Sequence, residues 1–582
     1  MTGWAKVLKI MQSETKNCQN CKKDFIIEPD DFLFYEKIKV PPPTFCPECR
    51  LIRRLIMRNE RTLYKRKCNM CNQDKILVYP EDSKFKVYCR ECFSSDNWDA
   101  IDYSKNFDFN KNFFEQYIEL YNSVPRAGIV KQGFSINSEY TNRVTDLKNC
   151  YLIFASAYSE NCFYSMFVWD VKDSSDCFSV EKAERCFSCI DCSNCSNLKY
   201  SKNSNSCIDS FFLKNCRNCQ NCFGCVNLRN KNFCIFNEQY TKEEYLKKIN
   251  EFDLSNSKNV KEIKKTFDDF SYKFPHLYME SYHSDNVSGN WVNNSKNTKN
   301  SFTCNNIENG KYLFNIKEAK EVMDYTYWGK GSELMYECNS VGIQCSNIRF
   351  SSESWSNLID SEYCHNCFSS SYLFGCVGLK NKQYCILNKQ YSKEEYEDIV
   401  SKIKQDMNEI PFVDNVGRIV KYGEFFPSNM TPFAYNETIA QEYFPKTKEE
   451  AIKDGYKWKD IDKKNHIPTI MGDELPKDIK EVDINILKET IGCIHKGECG
   501  HQCTVAFKII PDELQFYQSN NLPLPEMCPN CRHYERLSER NPVKLWHRSC
   551  MKEGCTNEFE TSYSPERPEI VYCEKCYQQE VY

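Results

Sequence analysis

The sequence predicts a mostly β protein: two tandem β-solenoid-like repeats with short sides, flanked at each end by a small α+β module built on paired cysteines. Three observations carry this reading. The middle of the chain repeats every three residues. That middle is duplicated at an offset of 151 positions. Cysteine knuckles near the N-terminus return near the C-terminus with matching gaps. At 582 residues the chain is too long for one core. The motifs divide it at 1–100, 101–145, 146–250, 251–295, 296–405, 406–490 and 491–582.

Residues 1–100 carry Cys18, Cys21, Cys46, Cys49, Cys68, Cys71, Cys89 and Cys92, and residues 491–582 carry Cys499, Cys503, Cys528, Cys531, Cys550, Cys555, Cys573 and Cys576. The gaps 21 to 46 and 503 to 528 are both 25 positions; 49 to 68 and 531 to 550 are both 19; 71 to 89 and 555 to 573 are both 18. Two cysteines a turn apart present both sulfurs to one ion, and a second knuckle completes a tetrahedron, so the spacing predicts four zinc sites. Cys493, His495 and His501 lie beside the third site and are read as bystanders. Phe25-Ile26-Ile27 and Phe34-Tyr35 suit a hairpin over the first metal. Pro47 suits the first position of a helix, and the eighteen residues after Cys49 lack Gly and Pro. Knuckle, hairpin and helix make a treble-clef or zinc-ribbon plan, in which closed four-cysteine sites staple small domains and leave no open position for water.

Residues outside the cysteines repeat as well: Phe25 with Phe507, Pro29-Asp30 with Pro511-Asp512, Phe34-Tyr35 with Phe516-Tyr517, and Val87-Tyr88 with Val571-Tyr572. Cys18 to Arg50 resembles small zinc-binding treble-clef domains, with F-Y before the prolines and C-P-x-C-R after. Together with Arg58-Asn59-Glu60-Arg61, Cys222-Phe223-Gly224-Cys225, Tyr422-Gly423-Glu424-Phe425-Phe426-Pro427 and Pro523-Leu524-Pro525, the whole chain resembles a family of large zinc-binding proteins from uncultivated small-genome bacteria. The resemblance implies zinc and a recurring architecture and brings no activity.

Between 50 and 67 eight basic residues face one acid. On a continuous helix Arg50, Arg54, Arg58, Arg61 and Lys65 share one face. With Arg53, Arg66 and the C-terminal counterparts Arg532, Arg536, Arg540 and Arg548, they are candidate contacts to a phosphate backbone. A solvated face that offsets thiolate charge is the competing reading.

From Leu147 to Leu228, all 28 third positions hold only Cys, Ser, Leu, Val, Ile or Ala, twelve of them Cys. Neither a helix nor a strand has this period, so a solenoid whose sides each turn one small residue inward is expected. Asn149, Asn161, Asn194, Asn215 and Asn218 suit its corners. Thr241 and Ser392 cap a short helix at the end of each copy. In the second copy the period falters at Tyr325, Trp328, Glu337 and Arg349, and most cysteines are gone, so the central thiols read as small buried residues. The runs Cys186 to Cys195 and Cys216 to Cys225 lack the x3 spacing and the proline of an iron–sulfur run. Tyr151, Phe154, Phe163, Tyr164 and Phe178 flank the inward positions and could stack on bases or pack on the solenoid surface. Phe113 to Leu120 and Lys448 to Asp454 read as connector helices, and the Asn-rich 285–300 reads as turns or loop.

Met1 to Lys6 leads into no apolar run, so no signal peptide is expected, and no membrane span is visible. With 37 cysteines in a large chain, a reducing, cytoplasmic setting fits better than a disulfide scaffold. The formal charge of −4 does not advertise nucleic acid. No nucleophile elbow, P-loop, dinucleotide fingerprint or H-E-x-x-H occurs. The expected function is a non-catalytic zinc protein binding nucleic acid, RNA ahead of DNA. The alternatives are a protein-interaction scaffold with structural zinc, or a redox or metal-handling protein using the central cysteines.

Overall fold

A computed structural model describes residues 12–460 and 467–582. Residues 1–6, where the lack of a leader was read, and 461–466, inside the second connector, lie outside the described residues. Two parallel β-solenoids form the body, with a cysteine-rich module at each end.

From Asn142 to Ile235 the strands of the first stack pair in parallel with the segment twelve residues on: Phe154 with Met166, Met166 with Phe178, Gln220 with Asn232. One coil is therefore four sides of three residues. Every third residue from Asn137 to Phe236 turns a corner with φ between +45° and +66°. All five asparagines expected at corners are among them. Side chains stack there too: the Asn137 amide donates to Asn149, Asn149 to Asn161 and Asn161 to Asp173. Bulky residues such as Phe167 and Phe212 also adopt this left-handed conformation. They can do so because the ladder bonds of both neighbouring coils fix the backbone.

The lumen explains the choice of Ser and Cys. The Ser165 hydroxyl donates to the Phe163 carbonyl and accepts the Cys177 amide of the next coil. The Cys189 thiol donates to the Phe187 and Leu198 carbonyls. A small side chain with one donor thus fills the axis and satisfies backbone groups outside the ladder.

The second stack is wider. Ala319 pairs with Ser332, Glu333 with Ser346 and Ser346 with Ile359, thirteen residues apart, before twelve-residue coils return with Leu358 and Ser370. The faltering period is three single-residue insertions at corners. Ser332, Met335, Cys338 and Val341 fill one coil; Cys345, Ile348, Ser351 and Ser354 the next; Leu358, Ser361, Cys364 and Cys367 the third, all at most 2% exposed. Trp328, Glu337 and Arg349 are off the axis because the phase has moved. Tyr325 still points inward, fully buried.

Several expected boundaries move. Strands Lys131–Gln132 and Asn142–Thr145 already belong to the first stack, inside the expected connector 101–145. The expected linker 251–295 is a helix, Ser257–Ser271, followed by the start of the second stack, and the Asn-rich 285–300 forms strands Asp285–Asn293 and Lys296–Asn305. Asn286, Asn294, Asn297 and Asn300 are its left-handed corners. Helices Lys242–Ile249 and Lys393–Glu409 close the stacks under capping boxes from Thr241 and Ser392.

The halves are crossed. Phe113 of helix Phe113–Ser123, which precedes the first stack, packs on Tyr363 and Phe374 of the second. Helix Ser257–Ser271, which precedes the second stack, lays Phe267 and Phe270 on Phe212 and Phe236 of the first. The stacks also touch directly: Phe167 stacks on Tyr327, Trp169 on Trp328, and Arg143 meets Glu353 with two hydrogen bonds.

Candidate metal centres and the docking of their arginines

Each terminal module holds two four-ligand clusters built on one plan. Cys18, Cys68, Cys493 and Cys550 each end a strand or its extension, and their amides donate back to the returning chain at Lys23, Gln73, Val505 and Asn557. Cys46, Cys89, Cys528 and Cys573 each cap a helix: Pro47–Leu55, Arg90–Phe93, Pro529–Ser538 and Glu574–Val581. Their own amides donate to the sulfurs of Cys18, Cys68, Cys493 and Cys550 at 3.2–3.3 Å. The fourth cysteine of each set, three residues on, lies in the first helical turn, where the dipole favours a thiolate.

Four tetracysteine groups follow: Cys18, Cys21, Cys46, Cys49; Cys68, Cys71, Cys89, Cys92; Cys493, Cys503, Cys528, Cys531; and Cys550, Cys555, Cys573, Cys576. A fifth, His495, Cys499, His501 and Cys531, overlaps the third. Sulfur–sulfur separations test the fit. Cys21 and Cys46 are 3.7 Å apart, Cys71 and Cys89 3.9 Å, Cys503 and Cys528 3.9 Å, Cys555 and Cys573 3.9 Å. A tetrahedron with metal–sulfur bonds of about 2.3 Å has an edge of roughly 3.8 Å. The residues fit a tetrahedral metal ion.

The expected grouping changes in one member, and Cys499 lies instead with His495, His501 and Cys531. The third tetracysteine set takes Cys493 in its place, because Cys493 holds the position of Cys18. The signal was present in the sequence: Glu489-Thr490 precede Cys493 as Glu14-Thr15 precede Cys18. The short interval from Cys499 to Cys503 imitated a knuckle.

Electrostatics within the clusters favour thiolates unevenly. Burial pushes the Cys68 thiol up, but the backbone amides of Cys71, Cys89 and Met70 outweigh it and hold it down at about 6. Hydrogen bonding with Cys503 leads the causes that bring Cys493 down to about 6. Burial opposes, and the Asn557 amide and neighbouring donors prevail, in lowering Cys573 to about 6. Cys46 is pushed up to about 12, first by its hydrogen bond with Cys18.

The expected continuous basic helix stops at Leu55 and the chain turns into strand Tyr64–Lys67, so Arg58, Arg61, Lys65 and Arg66 leave its face. Phe34-Tyr35 lie in a helix, Pro29–Lys37, started by Pro29 and the Glu28/Asp31 capping box, rather than in a hairpin strand. The hairpin pairs Glu14–Asn17 with Asp24–Ile27.

Most of these arginines are paired within the chain. Arg50 and Arg54 bind Asp324 at 2.8 and 3.1 Å, Arg53 and Arg54 bind Glu337 at 2.7 and 2.9 Å, and Arg53 also binds Glu424 at 2.8 Å. Arg58 bonds Glu60 and Ser340 and lies over the Tyr327 ring. Arg61 reaches Asn530, and Arg66 the Pro80 carbonyl. Arg532 and Arg536 share Asp176 at 2.8 and 2.5 Å, and Arg540 binds Asp191 at 2.8 Å. Arg548 donates to the Ser564 carbonyl. Of the eleven expected contacts, only Lys65 is exposed. Asp176, Asp191, Asp324 and Glu337, which sequence reasoning missed, are all left-handed corner residues of the solenoids. Burial pushes Glu337 up, and Arg53, Arg54 and Arg50 together hold it below the usual carboxylate range. Phe154, Phe163, Tyr164 and Phe178 are likewise buried, Phe163 and Tyr164 under the C-terminal module, and Phe154 and Phe178 in a cluster shared with helix Pro47–Leu55 and the connector.

The solenoid thiols form a separate population. Cys186, Cys189, Cys192 and Cys195 fill all four sides of one coil, as do Cys216, Cys219, Cys222 and Cys225. Neither layer is among the groups whose ligand atoms all lie within 4.8 Å. Seven of the eight, Cys195 excepted, bond backbone carbonyls, which fits packing.

No family model matches the chain, and no curated protein does. Among solved structures, the crystal structure of a "putative acetyltransferase" from Desulfovibrio desulfuricans is similar at 9% identity over 40% of this chain and 56% of that one, with a TM-score of 0.09, which carries no inference. Among the described residues no helix is long and apolar enough to cross a membrane.

Proposed function

We propose that this protein is a non-catalytic scaffold, stapled by zinc, that offers a rigid solenoid surface to a protein partner. Zinc suits the clusters because thiolate and imidazole ligands at tetrahedral spacing select it over magnesium or calcium, which take oxygen. The observation that supports a scaffold over a nucleic-acid binder is the burial of the arginines against Asp176, Asp191, Asp324 and Glu337. A phosphate backbone needs accessible cations. Near the exposed Lys65, a cleft mixes Lys75, Arg90 and Lys131 with Asp74, Glu91 and Glu139, so it offers no one-signed groove. The first coils instead expose Phe134 (86%), Ile136, Tyr140 and Tyr158. An apolar group of this kind suits a protein surface.

Two measurements test the reading together. Titration with RNA and DNA across salt should give no affinity that falls steeply with ionic strength. A Phe134→Glu/Ile136→Glu double variant should release whatever protein co-purifies from the native cell while keeping its metal. Steeply salt-dependent RNA binding that Lys65→Glu abolishes would reverse the conclusion.

A further inference from the structure

The third cluster is not a simple copy of the first. Cys18 and Cys21 enclose two residues; their structural counterparts Cys493 and Cys503 enclose nine, 494–502. Three of those nine, His495, Cys499 and His501, offer imidazole or thiol ligands. All three converge with Cys531 so that the four ligand atoms lie within 4.8 Å of one another. Cys531 simultaneously completes the tetracysteine set: its sulfur is 3.8 Å from that of Cys493 and 3.6 Å from that of Cys499. Both distances are the edge of a tetrahedron of sulfurs around one ion.

We propose that the C-terminal module holds a binuclear centre. One ion is bound by Cys493, Cys503, Cys528 and Cys531, the other by His495, Cys499, His501 and Cys531, with the Cys531 thiolate as the bridge. Three further facts support it. The Nδ1 atoms of both histidines are sealed from solvent and have no hydrogen-bond partner. A buried acceptor left unpaired is costly, and a metal bond removes that cost. The Tyr534 ring stacks on His501 at 5.2 Å and 3°, fixing its orientation as outer-shell groups do for metal-bound imidazoles. The charge balance also improves. One divalent ion on four thiolates leaves about −2, whereas two ions on five thiolates and two neutral imidazoles leave about −1. Both sets are N/S donors, so both ions are of the zinc class rather than magnesium or calcium.

The two ions differ in access. All four ligands of the first set are buried, while His495, Cys499 and His501 are only half-buried. Cys499 and His501 line a cleft of about 1220 Å³ that also holds Tyr534, Glu442 and Trp458. The second ion is therefore the exchangeable one.

The full-length chain, loaded with zinc and weighed intact under native conditions, should carry five ions. A mild chelator should remove one before the rest. Cys499→Ser and His501→Ala should each hold four and keep the arginine-docked module resistant to protease. His501→Gln serves as a second variant should the alanine form fail to fold. In the cobalt-loaded protein two of the five ions should be magnetically coupled through the shared sulfur, and either variant should abolish the coupling. Four ions in the wild type, five in the variants, or five uncoupled cobalt centres would each overturn the bridge. A chain without metal anywhere would overturn the zinc reading as a whole, a different result from the loss of this one ion.

Discussion

The two terminal modules dock on the solenoids with the same chemistry but different redundancy. On the N-terminal side three arginines of one helix meet three carboxylates, Asp324, Glu337 and Glu424, with every ion-paired side chain at most 5% exposed. On the C-terminal side Asp176 alone receives both Arg532 and Arg536, and Asp191 receives Arg540. Removing Glu337 or Glu424 leaves each of these arginines an acid partner, and only Arg50 depends on a single one, Asp324. Removing Asp176 leaves Arg532 only its 3.8 Å pair with Glu513 and the Tyr517 hydroxyl, and leaves Arg536 no acid at all, only the Tyr164 carbonyl. The denser network is thus the more tolerant one, although a sequence reader would single out its helix as the more basic and the more exposed to functional change.

Metal removal should act on both ends and gives the largest effect. Structural zinc supplies about 10–16 kcal/mol of apparent folding energy per site in small domains. Strong chelation should therefore open both modules to protease, while circular dichroism still reports the β signal of the stacks, whose lumens need no metal. Collapse of the stacks with the metal would refute the division of the cysteines into ligands and packing residues.

The carboxylates come next. Asp176→Ala should cost about 3–5 kcal/mol, the usual effect of stranding a buried partner. Glu337→Ala should cost less, since Arg53 keeps Glu424 and Arg54 keeps Asp324. Denaturant midpoints of the two variants, read by proteolysis within each module, decide the order. A larger loss for Glu337→Ala would contradict the redundancy argument.

The smallest effect concerns pH. At matching positions, strand Val87–Tyr88 of the N-terminal module pairs with Arg126–Ala127, and Val571–Tyr572 of the C-terminal module pairs with His276–Leu277. Arg126 keeps its charge over the rings of Phe85 and Tyr121. Burial first, then the nearby Lys214, Lys202 and Arg567, push His276 well below its ordinary value. A histidine held neutral in the fold contributes stability above its unfolded pKa and loses it as pH falls below that. From about pH 6.5 downward the C-terminal junction should weaken by up to ~1.4 kcal/mol per pH unit, and the N-terminal junction should not. His276→Gln should flatten the difference between pH 7 and 5. Equal acid sensitivity of the two junctions, followed by hydrogen exchange, would exclude this cause.

The solenoid was legible because geometry imposes its period directly on side-chain size: every inward position from Leu147 to Leu228 has to be small. The second stack was only half legible. One extra residue at a corner shifts the phase without altering the packing rule, so Met335, Cys338 and Val341 obey it in a new register. The ligands were legible wherever spacing was fixed by two helix-capping knuckles. Their grouping was misread where a loop seven residues longer than that of Cys18 to Cys21 placed Cys499 at a more familiar distance from Cys503 than Cys493. The arginines misled for a different reason. The solenoid acids they pair with are 270 or more residues away, and nothing local marks a lone Asp176 or Asp324 among many corner residues as a docking point.

The crossed arrangement has a consequence in time. Arg54 emerges from the ribosome 270 residues before Asp324. At about 5–20 residues per second the N-terminal helix waits some tens of seconds for its acids. Its cysteines are complete long before that, so the first ions can load onto a module whose basic face has as yet no counterpart. The C-terminal module never waits: Asp176 was made 356 residues before Arg532. Synthesis thus closes the molecule from its last-made end onto its first-made stack.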